Sequence, residues 1–475
     1  MIKKRQAAIS AAILGLACYG DSSDLAAEES WVGSVVNTAV PQASPASDPG
    51  SVLASGATLE QVSSETGNTN TVGVGKTVFD ACRSGANVGT QFQEDCTLLV
   101  VGGTEDASGT ARTLTTLTPD QILAPRTASV EQVKAGIGVV SLRMENLRLA
   151  GQTAGPPFQR LNASNPLLGA TGGGASGDLQ IGRGGAFFNF KYLDAEQNRN
   201  RYTSGYDQDG VRFTLGADYR FKEDLILGVF GNYASGGTDY WRNKGDMDTS
   251  TWGLGLYGTR YWDNGAFVEG VLGYDVSDYD LTRRIDYDIQ VGGVLTQVRQ
   301  RATSTPEAGT FYTTLGGGYN LETGAFNFTP ALSLNYLRTE IDSYRERMSD
   351  PTAPGGSLAI AYDRQTYTSF SSRLGFMVSK AFSSSVGVWV PQLSLDWVHE
   401  FVGDQDRIDA RFVNDLSATP LMISTTNPDR NYFDLGIGIS GQFAEGRSAF
   451  LAINKLLGYE DVESYTISGG IRLEF

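Results

Sequence analysis

The sequence predicts an all-β transmembrane fold, an antiparallel β-barrel of about twelve strands, from its alternation, its composition and its loop spacing. Residues 211–221 and 433–443 place apolar side chains at every second position, with Asp, Arg, Ser or Gln between them. Because successive side chains of a strand point to opposite faces, each segment has one apolar and one polar face. A wall between lipid and water accepts both faces, whereas a packed core does not. The 58 Gly, 21 Tyr and 22 Phe also suit strands and tight turns.

Alternating segments recur from residue 186 to the last residue. The predicted strands cover residues 186–195, 210–221, 225–235, 250–262, 266–284, 308–321, 325–344, 362–382, 386–401, 430–443, 447–456 and 463–475. The predicted connections alternate between short turns and long loops along the chain. The short turns are at 222–224, 263–265, 322–324, 383–385 and 444–446, and the long loops are at 236–249, 285–307, 345–361 and 402–429. Bacterial barrels have an even strand number, short inner turns and long outer loops, so both barrel ends are expected on the inner side. A soluble β-sandwich or propeller is the alternative, and the charged faces disfavour it.

The same alternation predicts which side chains face the lumen and which face lipid. In the final strand, the apolar face holds Ile471, Leu473 and Phe475. The charged side chains expected in the lumen are Arg212, Asp218, Arg220, Asp434, Arg472 and Glu474.

An amphipathic α-helix is predicted just before the barrel, within residues 119–150. Ser129 with Gln132 forms a capping-box pattern, and the helix that follows to about Ala150 is long enough, at roughly 30 Å, to cross a hydrocarbon core. Its polar side chains include Glu131, Lys134, Arg143, Glu145 and Arg148. Two interpretations stay open from the residues alone: a lumenal α-helix, or a helix packed on the cysteine-containing region.

The residue pattern of the N-terminal 118 residues predicts export of the protein and a disulfide bond. Residues 1–27 have the basic, apolar and polar parts of a signal peptide, with cleavage after Gly20 or Ala27. Residues 28–118 form a small region in which Cys82 and Cys96 remain as an even pair, and an oxidising compartment favours a disulfide between them. Residues 31–75 suggest a flexible segment or a few irregular strands, the stretches around the cysteines suggest short helices, and residues 151–185 suggest a Gly-rich linker. A zinc site lacks ligands, since His399 is the only histidine.

Composition and motifs point away from enzymatic chemistry and from nucleic acid. The net charge of −16 disfavours nucleic-acid binding and suits acidic surface loops. No Gly-x-Ser-x-Gly segment, P-loop or metal-ligand cluster is present in the sequence, so we expect no enzyme activity and no cofactor. An omptin-like protease would need His399 with Asp404 and Asp406 on the outer lip, but His399 shares the outward face of its predicted strand.

The exported N-terminus, the upstream helix, the twelve strands and the closing segment 471–475 together resemble the translocator domain of classical autotransporters, the type V secretion proteins of Gram-negative bacteria. Segments such as 392–401 and 446–450 are similar to the short-passenger, uncharacterised branch of that family. The resemblance implies that residues 186–475 form a barrel in the cell outer membrane and that the helix occupies its pore. It also implies outer-membrane lipid, periplasmic chaperones and the barrel-assembly machinery as partners, with Phe475, Leu473 and Ile471 as the assembly signal, and a monomer.

The expected function follows from the same resemblance: the barrel exports or displays its own short N-terminal region. One feature departs from the family, because residues 31–118 contain no repeat from which a long β-solenoid passenger could be built. A helix-plugged structural, adhesin or channel-forming protein without a secreted passenger therefore remains the alternative.

Overall fold

Twelve long antiparallel strands form a closed barrel in the computed structural model, which describes residues 58–124, 144, 183–222, 224–402, 407–444 and 447–474. The wall strands are β1 (Gly184–Gln197), β2 (Tyr206–Lys222), β3 (Leu225–Tyr240), β4 (Gly245–Tyr261), β5 (Ala266–Val291), β6 (Glu307–Tyr319), β7 (Phe326–Ile341), β8 (Gln365–Ser379), β9 (Gly387–Glu400), β10 (Asn431–Phe443), β11 (Arg447–Leu457) and β12 (Val462–Glu474). Each strand pairs with its neighbour along the chain, and β12 pairs with β1 from Gly185–Glu474 to Gln197–Val462, which closes the wall. The predicted fold class and strand number are confirmed.

Side-chain burial follows the alternation that the sequence shows. In β2, Thr214 is 2% exposed whereas its neighbour Leu215 is 65% exposed. A soluble protein would bury the leucine, so this inverted pattern is that of a wall with lipid outside and a filled lumen inside. Short turns join the strands at the inner end of the barrel, and the connections at the outer end are longer except those between β3 and β4 and between β11 and β12. The predicted long loop 236–249 is wrong, because β3 and β4 stay paired from Gly236–Thr249 to Tyr240–Gly245.

One predicted loop is instead a β-hairpin. The prediction of a long loop at 285–307 is wrong, because β5 continues to Val291 and Val294–Ser304 returns antiparallel to it. Gly292 and Gly293 both have positive φ, as a two-residue hairpin turn requires. The alternation of Ile285, Tyr287 and Ile289 with acidic residues continues the strand past the end of its pairing with β4 at Arg283, and we call residues 281–304 the outer hairpin.

Two further long connections contribute a small sheet at the outer end. Its four strands are, in order, Tyr344–Arg345, Ile360–Tyr362, Arg407–Phe412 and Leu421–Ser424. All of these residues except Tyr344 and Tyr362 belong to the predicted loops 345–361 and 402–429, which therefore contain short strands. We call this unit the loop sheet.

Residues 58–124 form a compact helical module. Its helices are α1 (Thr58–Ser64), α2 (Thr69–Arg83), α3 (Gln91–Glu105) and α4 (Ala107–Leu117), with 3-10 turns at Gly85–Asn87 and Asp120–Ile122. The side chains of Asn68, Thr90 and Asp106 accept hydrogen bonds at the starts of α2, α3 and α4. The predicted Cys82–Cys96 disulfide is confirmed and joins α2 to α3.

The expectation of a flexible segment or irregular strands is wrong for residues 58–75, which belong to α1 and α2. Leu59, Val74 and Val78 of these helices share one core, and small residues let α1 and α2 approach closely. A Cβ at Gly75 would lie 2.8 Å from the hydroxyl of Ser63. Close packing of this kind stabilises helices that have weak intrinsic propensity. None of the helices in the described ranges combines the length and apolarity needed to cross a membrane.

Candidate functional site: the barrel lumen and its outer mouth

The helical module and the outer loops share one hydrophobic core. Phe92 of α3 packs against Phe412 of the loop sheet with ring centroids 5.5 Å apart. Both rings are 1% exposed, so each is buried by the other unit as well as by its own. The core also contains module residues Leu59, Val74, Val78, Leu99, Leu114 and Leu117, and outer-loop residues Ile285, Tyr287, Ile289, Val298, Ile360, Ile408 and Ile423. The module is therefore seated on the outer end of the barrel.

Buried polar side chains of the module bond to the backbone of the long loops. Asp95 accepts hydrogen bonds from the backbone N–H groups of Gly355 and Ser357 at 2.8 and 3.2 Å, and from the Ser357 hydroxyl at 2.5 Å. Asn70 donates to the carbonyl of Ser424 at 2.9 Å and accepts from its N–H at 2.7 Å. These bonds fix the module in one orientation, since each satisfies a buried group that would otherwise be costly.

A third polar contact joins the module to the loop after Phe412. Asn87 donates from Nδ2 to Asp415 Oδ1 at 2.6 Å and accepts at Oδ1 from the N–H of Leu416 at 2.8 Å. Burial works to raise the pKa of Asp415, but the hydrogen bonds from Asn87, Ser417 and Thr419 outweigh it and hold the pKa below its usual value of 3.8.

At the barrel mouth, Arg283 of β5 holds the end of α4. Its Nε and Nη2 donate to the two carboxylate oxygens of Glu346 at 2.8 and 2.6 Å. Nη1 donates to the carbonyl of Leu117, the last residue of α4, at 3.2 Å. Arg283 is only 2% exposed, so this bidentate ion pair and its helix-end contact are buried.

A second buried ion pair crosses the same mouth. Lys244, between β3 and β4, donates from Nζ to Asp120 Oδ2 at 2.6 Å, and both side chains are at most 3% exposed. Gln121 donates to the carbonyl of Lys244 at 2.7 Å, and the hydroxyl of Tyr240 donates to the carbonyl of Gln121 at 3.1 Å. The segment after α4 is thus bound by the outer ends of β3, β4 and β5.

The chain then enters the barrel. Ala124 is fully buried in a cluster with outer-end residues of the wall such as Tyr206 and Tyr240. Met144 is helical and fully buried in a cluster that includes Phe187, near the start of β1, and Ile226, next to the short β2–β3 turn. Residue Gly184 begins β1 opposite Tyr219, at the inner end. The described positions therefore descend from the outer mouth, through the lumen, to the inner end.

The predicted lumen charges lie on the inward face of their strands where the structure describes them. Arg212 Nη2 is 2.7 Å from Asp275 Oδ2, and Asp218 accepts from the Tyr257 hydroxyl at 2.8 Å. Arg472 lies 3.9 Å from Asp218. The remaining contacts involve Arg220, which donates to the Tyr261 hydroxyl at 2.7 Å, and Asp434, which is 3.5 Å from Arg373 and accepts from Asn454 at 3.1 Å. The side chain of Glu474 lies outside the described residues.

Several residues of the site were not predicted from the sequence. Asp275, Arg373 and Asp396 have inward parity in predicted strands, so the alternation could have found them. Lys244 and Asp120 gave no such signal, because they are 124 residues apart and neither lies in a predicted strand.

Some of the predicted site residues lie outside the part of the chain that the structure describes. The helix residues Glu131, Lys134, Arg143, Glu145 and Arg148, the capping pair Ser129 and Gln132, the linker up to residue 182, and Phe475 are outside the described residues. Of the predicted assembly signal, Ile471 is 58% exposed and Leu473 is 53% exposed, both on the outward face of β12.

The sole histidine is on the outside of the wall. His399 Nδ1 lies 2.9 Å from Asn431 Oδ1, and its ring packs against Trp397 and Phe401. Asp404 and Asp406 lie outside the described residues. Within the part of the chain that the structure describes, no group of three His, Cys, Asp or Glu side chains could hold a metal ion.

A closed twelve-stranded barrel with an inverted hydrophobic pattern, short inner turns and a lumen entered by its own chain defines an outer-membrane β-barrel with the translocator fold. The chain belongs to the autotransporter family: the model of the autotransporter beta-domain matches residues 186–454. The family that the sequence resembles is therefore confirmed.

Individual relatives are distant. Esterase EstA of Pseudomonas aeruginosa is 24% identical over 303 residues, which cover 62% of this chain and 42% of that protein. Outer membrane protein A of Rickettsia conorii is 26% identical over 260 residues, covering 52% of this chain and 12% of that protein. The translocator domain of autotransporter NalP from Neisseria meningitidis is a similar solved structure, with 13% identity, a TM-score of 0.48, and coverage of 72% of this chain and 99% of that one. This chain spans less than half the length of the curated relatives named here.

Proposed function

We propose that the barrel exports its own helical module and displays it at the outer face of the outer membrane. The observation that supports this most directly is the course of the chain: the module is seated on the outer loops, Ala124 and Met144 are buried in wall clusters, and β1 starts at the inner end. A chain with this course leads from the inner end to the outer end of the barrel, as export of the module through the lumen would require.

The packing of the module fits passage in an unfolded state. Its core is completed by the outer hairpin and the loop sheet, so a module that had not yet reached the loops would leave that core open to water. We propose that residues 58–124 fold on arrival, and that the Cys82–Cys96 bond stabilises the module once it is seated.

The steps before assembly are proposed on the family and the sequence. The signal peptide of residues 1–27 directs export across the inner membrane, and periplasmic chaperones and the barrel-assembly machinery deliver a monomeric barrel to the outer membrane. The exposed apolar face of β12, with Ile471 and Leu473, suits recognition during that insertion.

We propose no enzyme activity for this chain. Two relatives are named as an esterase, from Pseudomonas aeruginosa, and an extracellular serine protease, from Serratia marcescens, and those activities belong to those proteins. Here His399 faces outward and bonds to Asn431, away from the lumen and the module.

A permanent cap without a released passenger is the second candidate. It is favoured by the buried Arg283 and Lys244 pairs, which close the mouth around residues 117–121. Display and capping both place the module outside, and they differ in whether the closed mouth has a role in permeability.

Protease treatment of intact cells tests the proposed export. The module should be degraded while the barrel remains folded and heat-modifiable in the membrane, and degradation should not require lysis. A module that resists protease on intact cells and becomes sensitive only after the outer membrane is opened would place it inside and contradict the proposal. The control is a soluble periplasmic protein, which must remain intact before lysis.

A further inference from the structure

We propose that the helical module is bound at the outer mouth as a subunit, by a docking surface of its own, and that it stays bound when the chain linking it to the barrel is cut. The docking surface consists of the outer hairpin, the loop sheet and the mouth residues Lys244 and Arg283. This inference concerns the interface alone and does not depend on which side of the membrane the mouth faces.

The interface between the module and the outer loops is apolar, as interfaces between permanently associated partners are. Module and outer loops contribute almost equally to the shared core, in which Phe92 packs against Phe412. Interfaces between obligate partners resemble a domain core cut in half, whereas separable ones are more polar. Separation of the module would expose both halves of this core to water.

Ion pairing strengthens the argument. Asp120 of the module and Lys244 of the wall form a buried ion pair across the interface. Because both side chains are buried, water cannot solvate either charge if its partner is removed. Breaking a buried pair leaves an uncompensated charge, which is strongly unfavourable. Arg283 adds a cation at the C-terminal end of α4, where it bonds to the carbonyl of Leu117 and complements the helix dipole.

The two surfaces also fit closely in shape. A Cβ at Gly102 of α3 would lie 2.4 Å from Cδ1 of Ile289 in the outer hairpin, so the helix lies directly on the hairpin. A large side chain at Gly102 would push the module away from the barrel without altering any wall residue. At Gly85, in contrast, an added Cβ meets nothing within 4 Å. Gly85 is therefore the matched control position within the same module.

The experiment uses the full-length protein with a site-specific protease sequence inserted at Gly172–Gly174, purified in detergent. After cutting, size-exclusion chromatography is expected to show the module fragment eluting with the barrel, and denaturation should release it. Gly102→Leu and Lys244→Gln should each lower the co-eluting fraction at least severalfold. Gly85→Leu and Arg364→Gln, the latter removing an exposed pair with Asp342 outside the docking surface, should leave that fraction unchanged.

Two results would overturn the inference. One is release of the module from the unsubstituted protein after cutting. The other is equal retention in Gly102→Leu, Lys244→Gln and the controls, which would mean that the lumenal segment, and not the docking surface, holds the fragment. Heat-modifiable migration checks that each barrel is folded, and Gly102→Leu keeps the test decisive if Lys244→Gln impairs the wall.

Discussion

The surroundings of an exposed apolar side chain decide its role in this protein. Ile437 in the middle of β10 is 62% exposed and Leu416 in an outer loop is 67% exposed, so their accessibility to solvent is nearly equal. Ile437 lies on the lipid-facing side of the wall, between Leu393 and Ile453 on the neighbouring strands, whereas Leu416 lies beside the module. A charge should therefore be costly at the first position and tolerated at the second.

We predict that Ile437→Arg destabilises the membrane-inserted barrel by about 2–4 kcal/mol, the cost of an arginine near the bilayer midplane on a barrel surface. Urea unfolding in lipid vesicles, followed by heat-modifiable migration, measures the change. Leu416→Arg is the matched control and should shift stability by less than about 0.5 kcal/mol. Equal effects of both substitutions would contradict the assignment of the lipid face.

A pH effect is predicted at Asp415. The folded module holds its pKa below the usual value of 3.8, so the stabilisation from this carboxylate is fully present above that value and is lost as pH falls through the folded pKa. Wild type should therefore be more stable than Asp415→Asn at pH 7, with the difference vanishing in strong acid. Thermal unfolding of the module between pH 7 and pH 2 tests this, and a difference that grows on acidification would be the wrong sign.

Among the elements, α2 and α3 depend on their covalent link. The Cys82–Cys96 bond closes a loop of about 15 residues. The entropy that such a loop removes from the unfolded chain stabilises the folded module by about 3 kcal/mol. We predict that the Cys82→Ser, Cys96→Ser double variant unfolds its module at a lower denaturant concentration by about that free energy, while barrel migration is unchanged. Loss of barrel folding in this variant would show that module and wall are one cooperative unit.

The elements of the wall could be predicted from sequence because alternation is local. The alternation within a strand such as β10 shows which side chains share each face. Asp434 could therefore be assigned to the lumen without any knowledge of its partners. The outer hairpin has the same local signal, since the alternation of β5 continues to Val291, and the prediction of a loop at 285–307 ended that strand too early. The mouth could not be predicted, since Lys244 and Asp120 meet only once the module is seated.

At the scale of the whole molecule, described parts of the chain occupy the barrel at two levels. The seated module covers the mouth, and Met144 fills part of the space among the side chains of the lower wall. We predict that removing residues 129–150 raises single-channel conductance in planar bilayers, and that removing residues 58–150 raises it further. Equal conductance of all three forms would mean that neither segment obstructs the pore.

The central claim, that the chain passes outward through its own barrel, is tested most directly by labelling two engineered cysteines with a membrane-impermeant maleimide on intact cells. Val88→Cys, at a site 68% exposed on the module, should react without lysis. Thr323→Cys, in an exposed short turn at the inner end, should react only after the outer membrane is opened. The unsubstituted protein, with Cys82 and Cys96 paired, is the blank. Labelling of Thr323→Cys but not Val88→Cys on intact cells would contradict the account.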